Sequence, residues 1–179
     1  MDTMSKPPAD PTAAQLSGSR IIAAVKEAGI GHVLSVPDLH TAKGLLLPIS
    51  TDPELRLIRV CKEDECFGIA TGLSYGDKRA LILIQYTGFF YAMNAIRAVA
   101  VEHKQPMCMM IGVLGNTPGQ SPSDSKRPGH RVIEPMLDLW GIPHDLIDTD
   151  ADVPRIAPAI RDAYENSHPT ALLIGRRPV

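Results

Sequence analysis

At 179 residues, with a formal net charge of −2 and 21% charged residues of mixed sign, the chain is expected to form one domain with a substantial core. It lacks the basic stripe of a nucleic-acid binder and the cationic patch of a membrane-surface protein. It carries no signal-type hydrophobic segment and no apolar run of membrane-spanning length, so a cytoplasmic protein that binds neither nucleic acid nor membrane is expected.

Residues 1–11 are polar and proline-rich and read as a disordered lead-in to a domain over 12–179. Thr12 is placed to cap a helix carrying Leu16, Ile21, Ile22 and Val25 to about Ala28, with Gly29 and Gly31 ending it. His32–Val36 reads as the first strand, closed by Pro37, and a leucine-rich helix over Gly44–Leu47 is expected to end near Pro48. Leu57–Val60 and Ala80–Gln85 read as the next two strands, the latter an apolar run suited to burial on both faces. Thr87 and Gly88 lead into a long helix to about Lys104, with Thr87 as its N-cap. Met107–Val113 is the fourth strand. After it, Gly115–Gly129 reads as a polar loop without secondary structure, a length that usually marks function or disorder. A helix over Val132–Leu139, a strand over Asp145–Ile147, a helix over Val153–Glu165 and a strand over Ala171–Ile174 complete the chain. The alternation predicts an α/β fold: a single-domain doubly wound, mostly parallel six-stranded sheet. Cys61, Cys66 and Cys108 are odd in number and lack CxxC spacing, so they read as buried thiols in a reducing compartment.

In a doubly wound sheet the carboxyl ends of the strands share one edge, where ligands bind. Most of the unusual residues fall in four loops expected at that edge. The segment Leu57–Gly72 stands out. A short strand turns into three acids, Glu63, Asp64 and Glu65, and then a small-residue helix with Gly68, Ala70 and Gly72. Acids in a first helical turn are ordinary, because the helix dipole favours negative charge there. Their place at a strand end, before glycines that admit close approach, also fits a ligand site. Gln85, Thr87, Gly88, the aromatic run Phe89-Phe90-Tyr91 and Asn94 follow the third strand, as ligand contacts or as core and surface residues of a helix.

The pattern Glu63-x4-Gly68-Ile69-Ala70-x-Gly72 resembles the glutamate segment of the pyrimidine-binding domain of thiamine-diphosphate enzymes. Val36-Pro37-Asp38 and Gln85…Gly88…Asn94 extend the similarity, in the same order, to the sulfopyruvate and phosphonopyruvate decarboxylase family, over about Ser19 to Pro178. The resemblance implies a pyrimidine-binding alpha subunit that decarboxylates a small 3-substituted 2-oxo acid, with thiamine diphosphate as cofactor. It places Glu63 on the aminopyrimidine ring, where a carboxylate favours the imino tautomer. Val36, Pro37, Gln85, Thr87, Gly88 and Asn94 fall near the ring, with Phe89 or Phe90 as candidates to pack on it. The Gly-Asp-Gly…Asn segment that holds Mg2+ and diphosphate in such enzymes is absent; Gly76-Asp77 is followed by Lys78. The resemblance therefore implies a beta subunit carrying those groups, in a dimer of heterodimers or a larger assembly.

Departures from the family pattern bear on substrate. Leu39 stands where a polar or acidic residue is common, with His40 next, and Phe89-Phe90-Tyr91 replace a small segment. His40 is a candidate acid/base or substrate-contact group, its other reading being a loop hydrogen bond. Lys126, Arg127 and His130 are candidates to clamp an anionic tail, against a solvated charged loop. A carboligase or lyase using the same cofactor, and a non-catalytic scaffold subunit, are the alternatives.

Overall fold

A computed structural model of the chain describes residues 14–179. Six aliphatic runs pair into one sheet: β1 (His32–Ser35), β2 (Arg56–Arg59), β3 (Ala80–Gln85), β4 (Met107–Gly112), β5 (His144–Ile147) and β6 (Pro169–Ile174). Their order is β2-β1-β3-β4-β6-β5, and every pairing is parallel, so the expected mostly parallel sheet is parallel throughout. The inner strands β4 and β6 are buried along their whole length, whereas the edge strand β2 carries Arg56 and Arg59 into solvent. Charge on an edge discourages pairing with another chain.

The two faces of the sheet alternate residue by residue, as strand geometry requires. Leu81, Leu83, Cys108 and Met110 pack under α1 (Gly18–Glu27), α2 (Leu47–Thr51) and a helix over Ile156–Glu165. Ile82, Ile84, Met109 and Ile111 pack under α3 (Glu63–Tyr75), α4 (Tyr86–Tyr91) and the segments that follow it. The chain passes from β1 out to β2 and then back across to β3, which puts a topological switch point between β1 and β3.

Several boundaries differ from expectation. Thr12 and the lead-in lie outside the described residues. The first helix begins at Gly18, because residues 14–17 run extended beside the chain's last residues: Gly18 N–H donates to Val179 O at 2.9 Å and Val179 N–H to Leu16 O at 3.0 Å. Pro48 does not stop its helix. It sits in the first turn of α2, which emerges from a π-turn over Ala42–Leu46, where a missing N–H costs little. The long helix after Gly88 is segmented into α4, α5 (Met93–Ala95) and a π-helical stretch Ile96–Glu102. The loop after β4 is ordered around a 3-10 turn, Pro122–Asp124, and α6 (Pro128–Arg131), ahead of α7 (Ile133–Leu139). α8 (Ile156–Glu165) follows a 3-10 turn at Val153–Arg155. Cys61 is exposed, contrary to expectation, because it lies in the open turn after the edge strand; Cys66 and Cys108 are buried thiols as expected.

The tail is wedged between α1 and the π-turn. A Cβ on Gly18 would overlap the Gly44 carbonyl oxygen, and one on Gly44 would overlap the Pro178 backbone. Backbone cannot yield as a side chain does, so Gly44→Ala is expected to cost about 2–3 kcal/mol. Urea unfolding would show it as a lower midpoint at unchanged slope.

Candidate functional site

At the switch point, Pro37 ends β1 and the chain turns Asp38 inward. Asp38 is 5% exposed yet fully engaged. Its Oδ1 accepts from His40 N–H at 2.9 Å and from Gln85 Nε2 at 2.5 Å. Its Oδ2 accepts from Thr41 N–H at 3.0 Å and Thr41 Oγ1 at 2.8 Å. One carboxylate thus caps the π-turn and ties the β1 loop to the end of β3. His40 carries the loop further, with Nε2 donating to Ile174 O at the end of β6 at 2.9 Å. The loop lies so close over β4 that a Cβ on Gly112 would sit 2.9 Å from Asp38 Oδ2. Leu39 faces outward at 75% exposure, beside exposed Pro37 and half-buried Val36.

The acids after β2 divide into different tasks. Lys62 is the extended N-cap of α3. Glu65 reaches back to accept from Cys61 N–H at 3.0 Å, satisfying an amide ahead of the helix. Asp64 is exposed. Glu63, at the first helical position and half-buried, makes no hydrogen bond or ion pair among the described residues. Its carboxyl lies against Gly88, where a Cβ would come within 2.5 Å of Oε1 and 2.7 Å of Cδ. Gly88 is therefore the floor under a carboxylate whose oxygens no donor among the described residues occupies. Nearby Cys66 is chemically quiet: burial first, and then the Glu63 charge, push its thiol up to about 12.

Other candidate residues fall elsewhere. Phe89 is fully buried, edge-on to Trp140 at 6.3 Å in the core beneath α4 and α7, so it has no face to offer a ring. Phe90 is half-buried and meets Tyr86 edge-on at 6.1 Å. Gln85 Oε1 accepts from exposed Thr87, which is not the N-cap; Gln85 holds that position. Asn94 is exposed and accepts from Arg97 at 3.0 Å, on the outer side of its helix. Lys126 and Arg127 are exposed, whereas His130 is fully buried, with Nε2 at 3.2 Å from Leu114 O and its ring 4.9 Å from Tyr86. His130 is a core residue and no anion clamp.

The acid/base expectation for His40 is likewise corrected. Its Nε2–H is committed to a backbone carbonyl, and burial lowers its pKa below the usual 6.5 against the pull of Asp38, so it stays neutral. His130 is lowered too, mainly by burial. Both groups resist protonation in the folded state while the unfolded chain titrates near 6.5. Stability contributed by the neutral rings is present above that pH and is lost as pH falls below it. The urea midpoint is expected to be lower at pH 5.5 than at pH 7.5; an unchanged midpoint would contradict the burial argument.

Sequence reading assigned no role of its own to three residues at this edge. Asp38 was visible as Asp-x-x-Thr before a leucine-rich turn, a capping spacing. Asp148, 6% exposed, accepts from Gly119 N–H at 2.8 Å and pairs with Arg176 at 3.5 Å, joining the β4 loop to the tail. Arg177, exposed, follows β6 and carries no local signal.

An all-parallel sheet with a carboxylate held against a glycine and a laced switch point at one edge defines the chain as an α/β domain of the doubly wound kind. No family model matches the chain. It is 31% identical over 151 residues to sulfopyruvate decarboxylase subunit alpha of Methanocaldococcus jannaschii, covering 84% of this chain and 88% of that one. The same subunit of Methanothermobacter thermautotrophicus is 28% identical over 127 residues, 71% of this chain and 75% of that one. The sulfopyruvate decarboxylase of Methanosarcina acetivorans is 27% identical over 160 residues, 87% of this chain but 39% of that longer protein. The chain belongs to the sulfopyruvate decarboxylase subunit alpha family, and is a sulfopyruvate decarboxylase-like alpha subunit of a two-subunit enzyme. Among the described residues no helix is long and apolar enough to cross a membrane.

Proposed function

We propose that residues 12–179 form a single pyrimidine-binding domain and that this chain, with a beta subunit, decarboxylates sulfopyruvate or a close 3-substituted 2-oxo acid using thiamine diphosphate. The observation that carries the reading is Glu63: a half-buried carboxylate, without a protein partner among the described residues, over a glycine that leaves room for no side chain. That cradle fits the edge of an aminopyrimidine, with Glu63 accepting the ring N–H and so holding a proton at that nitrogen. Half-buried Val36 and exposed Pro37 and Leu39 offer an apolar border for a flat ring, and half-buried Phe90 is a further candidate to pack on it. When bound, thiamine diphosphate supplies the electron sink for cleaving the bond between the carboxylate and the carbonyl carbon.

The Gly-Asp-Gly…Asn segment is missing from this chain, so the diphosphate and Mg2+ are assigned to the beta subunit, in a dimer of heterodimers or larger. We place the enzyme in the cytoplasm, where its three free thiols would stay reduced. The test is to assemble the two full-length chains with thiamine diphosphate and Mg2+ and assay a panel of 2-oxo acids, with and without an added aldehyde. Release of CO2 and sulfoacetaldehyde from sulfopyruvate is expected. A carboligation product formed only with aldehyde would favour the ligase chemistry instead, and complete inactivity would reject a catalytic role.

A further inference from the structure

The loops after β1, β4 and β6 enclose a second cavity on the same edge, with a volume of about 320 Å3. His40, Gly115, Asn116, Gly175, Arg176 and Arg177 line it. A chain of side-chain and backbone contacts links its wall to the Glu63 cradle. Glu63 lies on Gly88 at the start of α4, Gln85 just before it donates to Asp38, Asp38 accepts from His40 N–H, and His40 forms the cavity wall.

The charges around this cavity are unbalanced. Arg176 is turned inward, with Nε on Asp148 O at 3.1 Å, Nη1 on Ala14 O at 2.6 Å and Nη2 near the Asp148 carboxylate. Arg177 also lines the cavity, is exposed, and has no side-chain hydrogen bond or ion pair among the described residues. Its backbone is nevertheless held on both sides, by Arg176 before it and by Pro178 and Val179 packed against Gly44 and Leu16 after it. The Arg127 guanidinium lies against Gly115, where a Cβ would come within 2.9 Å of Cζ. Its partner there is the Leu114 carbonyl at 3.5 Å, and no carboxylate among the described residues pairs with it. One guanidinium without an ion pair among the described residues, that of Arg177, thus lines a small cavity on a fixed backbone, and a second, that of Arg127, lies against the lining residue Gly115.

We propose that this cavity is the subsite for the anionic tail of the substrate, with Arg177 as the group that binds it and Arg127 closing the other side. A sulfonate carries one permanent negative charge and three acceptor oxygens, which suits the forked donors of arginine better than the point charge of lysine. The 2-oxo acid end would then extend along the β1 loop towards Gly88 and Glu63. This inference rests on the decarboxylase reading for its choice of ligand.

The test uses the assembled two-chain enzyme with Arg177→Gln and Arg177→Lys. Loss of a charged hydrogen bond to the tail is expected to raise KM for sulfopyruvate about tenfold to hundredfold in Arg177→Gln with little change in kcat. Arg177→Lys should recover part of the loss. An active enzyme whose KM is unmoved, or whose kcat alone falls, would overturn the subsite and leave the decarboxylase reading standing. Equilibrium binding of 3-sulfopropanoate to the full-length chain reads the subsite without turnover. Weakening by a similar factor in Arg177→Gln supports it even if the assembled enzyme is inactive. No binding to the wild-type chain, or equal binding to both, overturns it.

Discussion

Replacing Glu63 by Gln in the assembled enzyme is expected to lower kcat by about a hundredfold to ten-thousandfold, the usual contribution of a positioned proton-transfer group. Glutamine keeps the shape of the side chain and one acceptor oxygen but loses the charge that holds a proton on the ring nitrogen. Folding should be unaffected, because Glu63 has no protein partner to lose and sits half-exposed at the first turn of α3. Its share of the helix-dipole interaction is small and shared with Asp64 and Glu65. Thermal unfolding and co-purification with the beta subunit should match wild type. Turnover near the wild-type rate in that variant would remove Glu63 from the mechanism.

Gly88→Ala separates the floor from the carboxylate. The added methyl would meet Glu63 Cγ most closely, then Oε1 at 2.5 Å and Cδ at 2.7 Å, all atoms of one flexible side chain. Glu63 can swing aside into solvent, so the stability change is expected to stay within about 1 kcal/mol. The swing moves the carboxylate by an ångström or more, and misplacement on that scale costs about a hundredfold in rate. A double variant with Glu63→Gln should be no slower than Glu63→Gln alone, since the methyl acts through the carboxylate. Full activity in Gly88→Ala would mean that the contact does not position Glu63. A large loss of stability would mean that the backbone, not Glu63, bears the clash.

The division of labour among the three acids shows where local reading stops. Their charge and their place after a strand were legible, because strand-then-helix patterning and the helix dipole act over a few residues. Which acid stays free was not, since Glu65 is taken by the amide of Cys61, whereas Glu63 is aimed by the approach of α4, whose Gly88 is far along the chain. The aromatic run shows the same limit. Phe89, Phe90 and Tyr91 look alike as neighbours. Successive helical residues point about 100° apart, however, so Phe89 enters the core against Trp140 while Tyr91 remains exposed. His130 looked like a solvated loop cation and proved fully buried, because the loop it ends is ordered by its own turn and helix.

By itself the sequence determined the α/β class, the six strands and the segment bearing Glu63, because hydrophobic periodicity and glycine placement are local signals that burial on both faces of a sheet amplifies. It also carried the motif order that marks the family. The tertiary structure alone decided that Asp38 ties the β1 loop to the end of β3, that His40 is buried against the end of β6, and that the loops after β1, β4 and β6 meet around one cavity. Those outcomes depend on contacts between loops distant in sequence, brought to one edge by parallel pairing, and no short stretch of the chain encodes the distance between them.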